Sequence, residues 1–467
     1  GLWVADHGID GGGPGRAVRD LLIGRAPRVG QAGDQALRDP GETDLAAARR
    51  LAPLLDRTVL PIQGPPGAGK TFSGARMIVT LLDAGRAVGI TGTSHKVIAN
   101  LLGEVLEAAD QEQVTVRPIQ HAEPHHLHDD DRVVRAKDAG DVASQLGDGR
   151  ANLAAGTSWL WVSPKMEGAV HTLFVDEAGQ ISLANAVAVA GAADNLVLLG
   201  DPQQLDQPMQ GSHPRGADQS ALAHILADQA TLSPGRGLFL ERTWRLHPEL
   251  TRFTSEVFYD DRLESEGHLG IQRVASTEST FDGVGPRLVG VPSIGADNES
   301  AVEAEAVAEL AHRLLDGHPS WVDPAGIERP LTWQDVLIVA PYNAQVGAIK
   351  RLLPEEARVG TVDKFQGQEA PISLYSMTTS SPELAPRGMN FLYSRNRLNV
   401  ATSRARCVAV VVASPDLLRV RARTPEQMRL ANAFCRFAEL AAAPVDVGRV
   451  DASPSTTGAE LLTLGLD

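Results

Sequence analysis

The stretch IQGPPGAGKT, positions 62–71, sets glycines at 64 and 69 ahead of Lys70 and Thr71. That spacing matches G-x-x-x-x-G-K-[ST], in which loop N–H groups surround phosphates, the ammonium reaches them and the hydroxyl ligates Mg²⁺. Gly64, Pro65, Pro66, Gly67, Ala68, Gly69, Lys70 and Thr71 are therefore the expected ATP-binding loop. In TLFVDEAGQ (172–180), Asp176 and Glu177 follow a buried apolar run. Asp176 suits Mg²⁺ coordination alongside Thr71, and Glu177 suits positioning and deprotonating an attacking water. In LLGDPQQL (198–205), Gln204 can hydrogen-bond both that water and a terminal phosphate. Two acids at a strand end, or a glutamine in a turn, mean little alone; a phosphate loop upstream gives each of them a task.

Such residues need a parallel sheet to hold them. LAAARRLAPLL reads as a helix, TVLPI as a buried strand and TFSGARMIVTLLDAG as the helix after the loop. Short apolar strands recur at AVGIT (87–91), TLFVDEA and NLVLLGD (195–201), the rhythm of an α/β fold with crossover helices. Between residues 103 and 155 charged, histidine-containing sequence breaks that rhythm and predicts a small inserted subdomain or helical stalk. A second block supplies GLFLERTW (237–244), DVLIVAPY (335–342), ARVGTVDKF (357–365), ISLYSMT (372–378) and CVAVVVAS (407–414). The expected layout is an irregular lead-in over 1–45, a first domain over 46–236, a second over 237–440 and a loose tail over 441–467.

The second block carries motifs of its own. GPPGAGKT, DEAGQ and GDPQQL, in this order, resemble motifs I, II and III of superfamily 1 helicases. LERTWRLHPEL (240–250), APYNAQV (340–346), GTVDKFQGQE (360–369) and RLNVATSRAR (397–406) resemble the later motifs in their family order. The resemblance implies a P-loop NTPase with two tandem RecA-like parallel-sheet domains that grip Mg²⁺-ATP from both sides. It places Arg245 at the γ-phosphate, Trp244 on the base where a tyrosine is usual, Gly367 by the interdomain cleft, Glu369 near the ribose and Arg404 at the arginine-finger position. Tryptophan keeps the π face that stacking needs. The bland reading of Arg404 and Arg406 is a basic pair favoured at a helix C-terminus.

Nucleic-acid contacts in this family come from loops matching TGTSHK (91–96), AAGTSW (154–159) and GTVDK (360–364), which nominates Thr93, Ser94, His95, Lys96, Thr157 and Thr361. Hydroxyls and N–H groups suit phosphate contact without sequence readout. The spelling is similar to subgroup 1B, whose members generally travel 5′ to 3′, and to the helicase half of bacterial proteins that fuse a RecB-like nuclease upstream. The implied activity is ATP-driven movement on single-stranded DNA, with RNA as the alternative track. Alternatives of another class are an ATP-gated nucleic-acid clamp and the motor half of a nuclease. The chain begins GLWVADHGID without methionine, which reads as a fragment of a longer polypeptide. The glutamine element that reads adenine is not recognisable in GETDLAAARRL.

Composition narrows the classes further. At 467 residues and a net charge of −15, a multidomain protein is expected and a wholly basic nucleic-acid coat is excluded. Cys407 and Cys435 are too few for a disulfide framework, which points to a reducing cytoplasm, and no apolar run approaches a membrane span. The run HAEPHHLHDDD offers His121, His125, His126 and His128 as metal ligands, but lacks a second paired group and reads as a solvated loop.

Overall fold

The computed structural model describes residues 2–11, 13, 15–30, 35–205 and 216–441. The expected tail lies outside the described residues, Ala441 excepted. The chain forms two compact units: residues 1–202 with 206–241, and residues 203–205 with 242–467.

In the first unit eight strands form one sheet: β1 Val59–Gln63, β2 Val88–Thr91, β3 Pro118–His121, β4 Val134–Arg135, β5 Leu153–Gly156, β6 Val170–Val175, β7 Ala193–Gly200 and β8 Leu238–Phe239. Their order is β4-β3-β5-β2-β6-β7-β1-β8, and every pairing is parallel. All five residues of β1 are buried, as a strand flanked on both faces must be. Seven helices belong to this unit's lead-in and first half: α1 Leu2–His7, α2 Arg16–Leu22, α3 Asp44–Leu51, α4 Lys70–Asp83, α5 His95–Glu112, α6 Ala139–Gly147 and α7 Ser158–Trp161. The α4 helix starts on Gly69 and buries Ala75, Met77, Ile78, Val79, Leu81 and Leu82 against β1 and its neighbours.

Three expectations need correction. The 103–155 segment is neither a stalk nor a separate subdomain. Its first residues continue α5, and β3, β4 and β5 extend the main sheet, with Pro118 to His121 paired to Leu153 to Gly156. Ile119, Leu153 and Ala154 are fully buried, so a few small apolar residues suffice for strands that charged loops obscure in the sequence. The lead-in also has structure: α2 buries Ala17 and Leu21. Arg19 donates to the carbonyls of Ile9 and Gly11, at 3.0 and 2.6 Å, and Asp20 pairs with Arg28 at 2.5 Å. Such internally paired charges hide a buried helix from any count of polarity. Finally, GLFL belongs to the first unit, because Leu238 and Phe239 pair with Ile62 and Gln63 of β1. The break falls after Glu241 rather than at residue 236.

The second unit is built on a five-stranded parallel sheet in the order Gly285–Gly290, Ala405–Ala413, Ala370–Ser376, Val336–Ala340 and Arg358–Thr361. Val408, Val410 and Val412 meet Ile338, Ile372 and Leu374 in its core, covered by the helices Ala301–Asp316 and Asn343–Lys350. Cys407 is wholly buried there, and burial pushes its thiol up to about 12, as for an inert packing residue. Three short strands, Arg273–Ala275, Ser320–Val322 and Glu328–Pro330, make a separate antiparallel sheet.

Candidate nucleotide and nucleic-acid sites

The phosphate loop joins β1 to α4. Gly67 and Gly69 have φ of 73° and 77°, the left-handed region that glycine enters without steric cost. These turns lead the loop into the N-terminus of a fourteen-residue helix, the kind of place where anions bind. Lys70 donates from Nζ to the Gly64 carbonyl at 2.6 Å. Thr71 follows within the first turn of α4.

Asp176 sits at the C-terminal end of β6, two strands from β1, and is 4 % exposed. Burial, then the Glu177 charge, raise its carboxyl well above the usual carboxylate range, against Lys70 and the Glu177 N–H, which donates to Oδ1 at 2.8 Å. A buried carboxylate in that condition is suited to a cation. Glu177 itself has φ of 54°, an uncommon conformation for a non-glycine residue and one that turns its side chain out of the strand line. The following Gly179 lies so close to β7 that a Cβ would stand 2.6 Å from the Asp201 carbonyl oxygen. Backbone contact thus sets motif II against the end of β7.

The second unit gathers another set. Glu369 forms ion pairs with both Arg245 and Arg406. Burial would raise the Glu369 carboxyl, but the two guanidiniums outweigh it and hold the group below its ordinary value. Arg404, 2 % exposed, donates from Nη2 to Gln204 Oε1 at 3.2 Å and from Nη1 to the Gln368 carbonyl at 3.3 Å. Residues 203–205 pack with this unit, which makes the Gln204 contact internal to it. Gly367 has φ of 75° in the turn before Glu369, and Trp244 is 61 % exposed with its ring 5.9 Å from His268.

The nominated nucleic-acid residues divide by position. Thr93 and Lys96 are exposed beyond β2, whereas Ser94 caps α5 by accepting from the Val97 N–H at 3.3 Å. His95 stacks on His126 with centroids 4.5 Å apart, and burial followed by the neighbouring imidazoles lowers its pKa. Thr157 follows β5 as the N-cap residue of α7 and makes no side-chain cap bond. Thr361 ends its strand in the second unit, its hydroxyl accepting from the Lys364 N–H at 3.4 Å. The remaining histidines lie in or beside the turn Pro124–His126, while Asp130 is tied to Arg132. Among the described residues no group of three or more His, Cys, Asp or Glu could hold a metal ion. Among the same residues no helix is long and apolar enough to cross a membrane.

Asn399 was not among the nominated residues. It lies fully buried inside RLNVATSRAR and donates to the Gln203 carbonyl at 2.8 Å and the Tyr259 hydroxyl at 2.9 Å. An amide in mid-helix between apolar neighbours was the available signal, since such a group must find partners. The pairing of Arg406 with Glu369 left no local signal, because the two are 37 residues apart.

Two AAA-domain family models match the chain, one over residues 45–225 and one over residues 218–416. Several curated relatives align over more than three quarters of it. The DNA polymerase alpha-associated DNA helicase A of Schizosaccharomyces pombe is 24 % identical, covering 77 % of this chain and 61 % of the relative. The regulator of nonsense transcripts 1 homolog of Arabidopsis thaliana is 25 % identical, covering 81 % and 33 %. The DNA replication ATP-dependent helicase/nuclease JHS1 of Arabidopsis thaliana is 23 % identical, covering 79 % and 28 %. The chain therefore spans 61 % or less of the length of these relatives. With a phosphate loop, the acidic pair at β6, two parallel-sheet units on one chain, two AAA-domain matches and helicase relatives, the chain carries a superfamily 1 helicase core of two RecA-like domains.

Proposed function

We propose that this chain hydrolyses ATP to drive movement along a single strand of nucleic acid, with DNA as the track and 5′ to 3′ as the direction. The observation that supports this reading best is one rim of one sheet. The phosphate loop, Asp176 and Glu177 share the C-terminal ends of parallel strands with the turns bearing Thr93 and Thr157, the edge at which open parallel sheets bind ligands.

Each residue has a chemical task in this reading. The loop N–H groups and Lys70 bind the phosphates. Thr71 and Asp176, hard oxygen donors, would hold Mg²⁺, which supplies charge neutralisation at the phosphates. The buried Asp176 carboxyl fits that ion because its environment disfavours an unpartnered anion. Glu177 accepts the proton of the attacking water. Arg245 and Arg404 stabilise charge on the transferring phosphoryl group, and Gln204 responds to the state of that phosphate through its bond to Arg404. Trp244 stacks on the base, Gly367 shapes the turn before Glu369, and Glu369 receives the ribose.

DNA as the track draws on the DNA helicase A and the DNA replication helicase/nuclease among the relatives, and a nuclease domain upstream is proposed because the latter is a helicase/nuclease. A reducing cytoplasmic setting is part of the same proposal. The test is the ATPase rate with and without single-stranded DNA and RNA. Strong stimulation by DNA is expected. Equal rates with and without either polymer would replace the motor by an ATP-gated clamp.

A further inference from the structure

The short helix α7 holds two tryptophans with opposite fates. Trp161 is 2 % exposed, and its Nε1 donates to the carbonyls of Ile90 and Gly156 at 3.2 and 3.0 Å. Its indole lies so close to β2 that a Cβ on Gly89 would come within 2.4 Å of Cη2. Trp159, on the same turn, is 84 % exposed. One indole thus anchors the helix across β5 and β2 while the other is presented to solvent.

Trp159 borders a cavity of about 590 Å³ lined also by Thr93, Thr157, Val162, Gln180 and Asn185. No lining residue is charged, in a chain whose net charge is −15. The Gln180 Nε2 is buried at the cavity's edge and donates no hydrogen bond among the described residues. With Ser158 also in the lining, the cavity offers an open π face, three hydroxyls and two side-chain amides without a carboxylate to repel a polyanion. This is the chemistry of a stacked base flanked by phosphates, since indole stacking tolerates every base and amides can meet base edges.

We infer that Trp159 stacks on a base of the bound single strand, with Gln180 and Asn185 facing that base and the Thr93 and Thr157 hydroxyls facing adjacent phosphates. The inference rests on the reading of this chain as a nucleic-acid motor and deepens it: the first unit grips bases as well as backbone. Trp159 is not one of the residues proposed to hold or hydrolyse the nucleotide, so it positions the track and takes no part in hydrolysis.

Fluorescence anisotropy tests it on the full chain, using a labelled oligothymidylate and an abasic phosphodiester of equal length against native protein, Trp159→Ala and Trp159→Phe. Trp159→Ala should bind oligothymidylate roughly ten-fold more weakly, as expected for the loss of one stacked base. It should bind the abasic polymer as native does, and Trp159→Phe should restore most of the affinity. ATPase without nucleic acid should be the same in all three, which shows that the variants fold. Equal weakening toward both polymers would overturn the stacking contact, as would no change toward either. Native protein that binds neither polymer, with its ATPase unmoved by them, would instead overturn the motor reading.

Discussion

Arg245 and Glu369 form an ion pair in the second unit, although the family resemblance directs the first to a phosphate and the second to a sugar. Arg406 takes the other oxygen of the same carboxylate. Glu369 thus holds two guanidiniums in a partly desolvated place. Glu369→Gln keeps the shape and removes the charge. It should lower unfolding stability by about 1–3 kcal/mol in denaturant titration, because two arginines lose their counter-ion. The same variant should raise the KM for ATP more than it lowers kcat; a loss confined to kcat would make Glu369 part of the chemistry instead.

Arg404 is buried against Gln204, and its planar fork makes two bonds in two directions. Arg404→Ala should lower kcat by roughly 10³-fold while equilibrium binding of a non-hydrolysable nucleotide changes far less. Arg404→Lys should not rescue it, since an ammonium cannot span both acceptors. An unchanged maximal rate in the alanine variant would remove the finger role.

Lys70→Ala and Glu177→Gln should each reduce turnover to background with circular dichroism and melting behaviour close to native. The Glu177 case discriminates most sharply, because glutamine keeps the side-chain length at a left-handed backbone position and loses only the ability to accept the proton. Substantial residual hydrolysis by the purified variant would reassign the base.

Glu303 lies fully buried in the Ala301–Asp316 helix, where Oε1 accepts from the Ser376 hydroxyl at 2.6 Å and the Thr378 N–H at 2.7 Å. Burial pushes its carboxyl from 4.5 up to about 7, those hydrogen bonds opposing. Between these values the folded chain holds a proton that the unfolded chain releases. The stabilisation is thus complete below pH 4.5 and is lost as pH rises through about 7. Its size is on the order of 3 kcal/mol. Denaturant titrations across that window should show the decline in the native chain and a smaller one in Glu303→Gln; identical slopes would remove Glu303 as its source.

Local spelling is more legible than long-range architecture. IQGPPGAGKT and TLFVDEAGQ carry their own strand and turn signals, so the positions of a loop between β1 and α4 and of two acids at the end of β6 follow from the sequence. The strands β3 and β5 were missed because PIQH and LAAG are four residues each and stabilised by pairing with one another, a relation between distant positions. The Arg245–Glu369–Arg406 cluster escaped for the same reason. The α2 helix leaves no clear sequence signal because its charges are paired within the fold, and GLFL reads as part of the second block because a two-residue strand carries no periodicity.

The order of strands in the first sheet acts as a fixed gauge. Three lateral steps separate β1, which carries the phosphate loop, from β2, which carries Thr93. At the usual spacing between neighbouring strands that is about 14 Å, set by backbone hydrogen bonds and beyond the reach of any side-chain substitution. β5, β3 and β4 lie on the far side of β2, so residues added there lengthen the edge outward without altering that interval. Point mutations can retune each end of the gauge separately; changing its length would take the insertion or removal of a whole strand.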